Sequence, residues 1–231
     1  MEKLVRFSDY DVFGYLAPGF VLMGICDVAI GTNLVTGVEW TVVHTGFVII
    51  VGYVIGHGVA AFSTPILDRL IVRKLIGTPT KLLMQKRRDS RLPRWIRIML
   101  GEYLTPLPAD VQDRIIERAG LQPHSAIADN SESLFYRAWP VIKREPIPYG
   151  RMDSFLRLYG FCRSLSVVSL ISAVALLFAW VQHPTGAKLP SGLGWWIVIA
   201  LVISVTMFKR YLKFFRLYGI EVLSTFAESP K

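Results

Sequence analysis

Asp27 is the one acidic side chain inside an apolar run of this chain. An ionised carboxylate is costly to place in hydrocarbon, so such a residue is a functional candidate by default. It lies about four residues from the end of a run over 12–31, and His44 lies about four residues into the next run, over 41–62. If the two runs fold back on each other, both side chains reach one depth, about 6 Å into the apolar layer at 1.5 Å per residue. Opposite charge there favours the protonated His and the ionised Asp. The pair then either fixes the hairpin or senses protons or ions.

His57 is the third polar residue of these runs, set between Gly56 and Gly58. Glycines on both sides let a neighbouring helix come close. An interhelical hydrogen bond and a pore-lining role both fit. Metal chemistry finds no support: the chain has 4 His and 2 Cys, none at ligand spacing. Phosphate-loop, dinucleotide, nucleophile-elbow and zinc-protease patterns are absent from the sequence. No catalytic, cofactor-binding or metal residue is assigned, and the expectation is a protein that is not an enzyme.

A basic set follows: Lys86, Arg87, Arg88, Arg91, Arg94 and Arg97. The last three recur every third residue, with Trp95, Ile96, Met99 and Leu100 among them. A helix of that kind can lie along headgroups or pack on the core of a small cytosolic domain. Each cation near an anionic leaflet contributes about 1 kcal/mol. Nucleic acid, a nucleotide signal or a protein partner are the other occupants this charge admits. Ordinary solvation, with partial pairing to nearby acids, is the plain alternative.

These residues are positioned by long apolar runs. Thr41 to Phe62 holds no Lys, Arg, Asp or Glu. As a helix it measures about 33 Å, enough for a hydrocarbon core of about 30 Å. Gly52, Gly56 and Ala60 recur at every fourth position along it. They form a flat stripe suited to helix packing and to oligomerisation, since close approach drives association in lipid. Further spans are expected over 165–181 and 194–208, and Pro18 should kink the first, or make it begin there after a separate turn. Ser166, Ser169 and Ser172, continued by Ala175 and Ala179, mark a small side of the third span. They suit tight packing, or a water path in an oligomer. Cys26 and Cys162 fall near opposite faces and are too far apart to bridge. The first run reads as a retained span, since it follows Asp9 and Asp11 and lacks a small-x-small cleavage site.

The whole chain is 52% hydrophobic and 19% charged, with a net charge of +9. Residues 63–163 carry 18 Lys+Arg against 10 Asp+Glu. The short connections 32–39 and 182–193 carry only Lys188, and the other segments hold the remaining 25 cations. The positive-inside rule then places both termini and 63–163 in the cytoplasm. Trp40, Trp180, Trp195 and Trp196 fall at the opposite interface.

The organisation expected is all-α and polytopic, with four transmembrane helices and a helical cytosolic insertion. Residues 1–62 form the first hairpin, 63–163 the basic insertion, 164–208 the second hairpin and 209–231 an amphipathic tail whose last ten residues fray. Within the insertion, Ser63-Thr64-Pro65 caps a new amphipathic helix over 65–76, bearing Ile66, Leu67, Leu70, Ile71 and Leu75. Residues 108–120 form a helix closed by Gly120. A helix over 131–143 is disturbed by Pro140, and PIPYG at 146–150 is a turn.

Three stretches, FSDYDVFGYLAPGF, GYVIGHGVAAFSTPILDR and FLRLYGFCRSLS, resemble a group of bacterial four-span membrane proteins, some encoded near antiphage defence genes. The membrane subunit of the Kiwa defence system is similar in size and span count. The resemblance implies a bacterial inner membrane and a defence role with a soluble cytosolic partner, and it carries no functional residues. The function expected is an oligomeric sensor or scaffold whose basic region recruits that partner. The alternative is an oligomeric channel or pore-forming effector that depolarises the membrane.

Overall fold

The computed structural model describes residues 12–30, 35, 39–85, 93–121, 131–182 and 192–229. These are helical, with no strand among the described residues. A π-helical turn, Val12–Leu16, leads into α1 (Ala17–Ile30). Helix α2 (Val42–Ser63) continues as a π-helical segment, Thr64–Ile76. Then come α3 (Pro79–Leu83), α4 (Arg94–Met99), α5 (Ala109–Ala119) and α6 (Ser131–Ile142). Two long helices complete the chain, α7 (Pro146–Gln182) and α8 (Leu193–Glu228).

Three stretches are long and apolar enough to cross a bilayer, lying within 42–83, 146–182 and 193–228. The first apolar run, expected to span from 12 to 31, gives a shorter apolar helix, Gly14–Val28. That is about 22 Å at 1.5 Å per residue. Large side chains stand exposed on these helices: Val42 is 90% exposed, Phe62 70%, Val181 75% and Trp195 73%. A surface of this kind is suited to hydrocarbon and not to water.

The chain divides into two compact units. One comprises residues 1–68 and 160–211, the other 69–159 and 212–231.

In the first unit, α1 and α2 run antiparallel at very close range. A Cβ placed on Gly19 would collide with the Gly52 backbone, and one on Gly56 with the carbonyl group of Tyr15. The ring of Phe20 covers Gly52, 3.1 Å from where a Cβ would stand. The glycine stripe is therefore used inside the chain. The serine stripe is used in the same way. Ser166 Oγ donates to the Ser204 carbonyl at 3.0 Å, and Ser204 Oγ donates to the Ser166 carbonyl at 2.9 Å. This reciprocal clasp joins α7 to α8, and Ser169 and Ser172 are buried beside it.

The expected cap at Ser63-Thr64-Pro65 does not form. Both hydroxyls turn back onto the Ala60 carbonyl, at 3.0 and 2.9 Å. Hydroxyls used this way compete with the backbone and bend helices, and Pro65 has no N–H to continue the α pattern. The helix does not stop; its winding widens, ending with Gly77 N–H on the Val72 carbonyl at 2.6 Å. The buried face changes with it: Leu67, Val72 and Ile76 are buried, while Ile66, Leu70 and Leu75 are exposed.

The second unit has its own core. Leu83, Met84, Ile115, Ile116, Leu134, Ile142 and Met152 pack with Val222, Leu223 and Phe226. The last ten residues were expected to fray, yet α8 is helical to Glu228 and buries Val222 and Leu223 completely. Three apolar anchors in two turns outweigh the fraying of a chain end. PIPYG is the first turn of α7 and not a separate turn. Pro146 and Pro148 sit where helix N–H groups lack partners anyway, so their missing donors cost little there. Pro140 lies inside α6 without ending it. Gly120 closes α5 at φ +62°, and Leu121 N–H bonds the Ile116 carbonyl at 3.1 Å.

Gly56→Ala should lower the melting temperature of the purified protein in mild detergent, by the equivalent of about 1–3 kcal/mol of overpacking. Gly58→Ala should not lower it, because nothing lies within 4 Å of a Cβ there and Ala is the better helix former. Equal melting of the two variants would contradict the close α1–α2 contact.

Candidate functional site

The first unit contains a polar node built around Asp68, which the π-helical segment presents. Arg163 of α7 donates through Nη1 to Asp68 Oδ2 at 2.9 Å. Tyr211 of α8 donates its hydroxyl to Oδ1 at 2.7 Å. Each carboxylate oxygen thus has a partner from a different helix. The side chains of Arg163 and Asp68 are only 11% and 21% exposed, and Tyr211 is fully buried. A charge withdrawn from water needs such pairing. In a 3.6-residue period Asp68 falls on the polar face of the amphipathic helix expected over 65–76. Its partners are 95 and 143 residues away, and no local pattern points to them.

The node does not resemble a catalytic centre. Its carboxylate is occupied by a guanidinium and a phenol, both held in place. It acts as a joint. The chain leaves the first unit at 68/69, enters it at 159/160 and leaves again at 211/212. Asp68, Arg163 and Tyr211 stand at or within a few residues of these crossings.

Asp27 is buried, and its Oδ2 accepts the Val35 N–H at 3.0 Å. His44 lies edge-on to Trp40, with ring centroids 5.5 Å apart. Its Nε2 is buried without a hydrogen-bond partner among the described residues. His57 does meet a neighbouring helix, but by stacking: its ring lies 3.9 Å from that of Tyr15 at 15°, and 4.5 Å from Tyr53. Gly52 and Gly56 are buried under α1 and the turn before it, while Ala60 is half-buried.

Of the basic set, Lys86, Arg87, Arg88 and Arg91 lie outside the described residues. Arg94 and Arg97 are exposed on α4. The second unit as a whole carries 20 Lys+Arg against 11 Asp+Glu, which accounts for the entire net charge of +9.

That unit also holds a cleft of about 290 Å³. Its walls come from five elements. Thr78, Pro79 and Thr80 lie at the start of α3, Ser131, Glu132, Phe135 and Tyr136 on α6, and Leu156 and Tyr159 on α7. Phe215, Tyr218 and Gly219 come from α8, and Arg73 from the π-helical segment. Gly219 lets α3 lie close: a Cβ there would stand 3.1 Å from Pro79 Cβ and 3.2 Å from Leu83 Cδ1. The rings are mutually supported, Phe135 on Tyr218 at 6.0 Å and Tyr159 on Phe215 at 4.9 Å. Beyond the apolar stretch of α8, burial raises the pKa of the Tyr218 phenol, which keeps it a neutral hydrogen-bond donor. Burial also lowers the pKa of Arg216, with Glu102 opposing. Arg216 donates to the Thr105 carbonyl at 3.1 Å and so anchors the segment before α5. At the cleft, Arg73 and Glu132 pair at 3.5 Å, with both side chains more than half exposed. Sequence reading missed the cleft, although LFYR, KFFR and the two LYG stretches supply its rings; only the packing of distant helices assembles them.

No protein-family model, curated protein or solved structure matches this chain. The residues themselves define the class: an all-helical protein with three helices long and apolar enough to span a membrane, and a separate basic unit with its own core. Among the described residues, no group of three His, Cys, Asp or Glu is placed to hold a metal ion.

Asp68→Asn should destabilise the protein by about 3 kcal/mol, the lower end for a broken buried ion pair. Tyr211→Phe, which removes one hydrogen bond to a charged group, should cost about 1.5–3 kcal/mol. Thermal unfolding in detergent measures both. Unchanged melting in either variant would remove the node as a structural joint.

Proposed function

We propose that this protein is a membrane-anchored sensor or scaffold, whose basic helical unit receives a soluble partner at the cytoplasmic face of a bacterial inner membrane. The observation that carries this reading is the self-contained second unit. It concentrates the whole net charge of the chain and presents an aromatic cleft. In this reading the chain crosses the membrane four times with both termini cytoplasmic, and residues 63–163 form the insertion. The fourth crossing is the short first helix, which lies along α2 through Gly19–Gly52 and Tyr15–Gly56. The cation distribution and the four tryptophans support that orientation. A role in antiphage defence follows the resemblance of the three sequence stretches.

Self-association is part of the proposal, with a changed interface. The glycine and serine stripes that suggested it are occupied within one chain. Copies would therefore meet through the exposed apolar faces of the long helices. Anionic headgroups and nucleic acid remain competing occupants of the basic surface. The channel alternative draws on the buried serines of α7 and α8, one of which, Ser172, has no partner for its hydroxyl among the described residues. The Ser166–Ser204 clasp, however, spends two hydroxyls on backbone carbonyls, where a water path would need them free.

Overexpression in cells loaded with a voltage-sensitive dye separates the two readings. The scaffold reading expects a steady potential, with a soluble protein co-purifying in mild detergent at defined stoichiometry. Depolarisation without a co-purifying protein would refute it and favour the channel.

A further inference from the structure

We infer that the aromatic cleft of the second unit is a docking site for an acidic peptide segment that inserts one aromatic side chain. This names the partner chemistry of the scaffold proposed above and rests on that reading.

Shape supports a side-chain anchor. A volume of about 290 Å³ suits one large aromatic group with its flanking backbone. Phe135, Tyr159, Phe215 and Tyr218 supply ring faces and edges on opposing helices. Interface energy concentrates in such anchors, buried in a pocket and ringed by weaker contacts. A flat headgroup layer does not match a concavity whose walls come from five elements.

Charge supports an acidic sequence around the anchor. The unit carries a net charge of +9. Exposed Arg69, Lys74, Arg144 and Lys213 have no acidic side chain within ion-pair distance among the described residues. Such a field favours encounter with an anionic partner. The ion pair seen at the cleft among the described residues is open to exchange. Arg73 and Glu132 meet at 3.5 Å with side chains 63% and 66% exposed, so each remains largely hydrated. An incoming carboxylate can take the place of Glu132 on Arg73 without breaking a buried interaction. Glu132 is thus a resident competitor for the peptide, and its removal should strengthen binding.

The test uses the full chain in phosphatidylcholine nanodiscs and a fluorescein-labelled heptapeptide with a central Trp between Glu/Asp triplets. Anisotropy titration reads affinity. Replacing the peptide Trp by Ala should weaken binding at least about tenfold, as for an anchor residue. Leu156→Trp, which fills the cleft, should weaken it similarly, with a melting curve checking that the variant is folded. Glu132→Gln should tighten binding severalfold, and this exposed, isosteric change keeps the test valid if Leu156→Trp does not fold. Binding that ignores the central Trp would overturn the inference. So would Glu132→Gln binding more weakly than the parent, or Leu156→Trp losing affinity for phosphatidylglycerol vesicles and not for the peptide. Cell depolarisation with the peptide profile intact counts against the scaffold reading alone. A co-purified protein that Leu156→Trp fails to release counts against the cleft alone.

Discussion

One carboxylate holds three helices together. Asp68 gives one oxygen to Arg163 and the other to Tyr211, and these residues stand where the chain passes between its two units. Burying a charge is costly unless each lone-pair direction is met, so the three helices are constrained to one register. In a lipid setting the constraint is stronger, because apolar burial alone does not favour one helix arrangement over another. The polar node supplies what the greasy surfaces of the helices lack, a unique alignment.

The same logic runs through the rest of the first unit. Its close contacts are made by small or polar groups: glycine against backbone at Gly19–Gly52 and Tyr15–Gly56, and serine against carbonyl at Ser166–Ser204. Many of its large apolar side chains point outward. The second unit inverts this plan. It buries Leu83, Ile115, Ile142 and Leu223 completely and satisfies one of its interior polar groups, Gln112, on the Leu83 and Leu107 carbonyls at 3.1 and 2.9 Å. The first unit exposes long apolar helix faces, and the second collects the net charge of the chain. That contrast is why the proposed function places recognition in the second unit and anchorage in the first.

Local pattern carried much of this. The apolar runs, the glycine stripe, the serine side of the third run and the helix closed by Gly120 follow from composition and spacing. What escaped were features that residue spacing alone does not signal. The widening of the helix after Ser63 rotates its buried face from the α-helical set to Leu67, Val72 and Ile76. Nothing in a 3.6-residue period signals that change. PIPYG reads as a turn from its prolines, yet prolines are also tolerated in a first helical turn, and only the following 30 residues decide between the two. The C-terminal segment looked too short to hold itself and is instead held by a core drawn from four other helices. The cleft was invisible for the same reason as the node.

The joint at Asp68 is tested most directly by a double-mutant cycle. Unfolding free energies of the parent, Asp68→Ala, Arg163→Ala and the double variant, all in one detergent, isolate their coupling. A coupling of about 1.5–3 kcal/mol, with the double variant little worse than either single one, is the predicted result. Additive losses with no coupling would show that the two side chains do not hold each other, and that the three helices are aligned by something else.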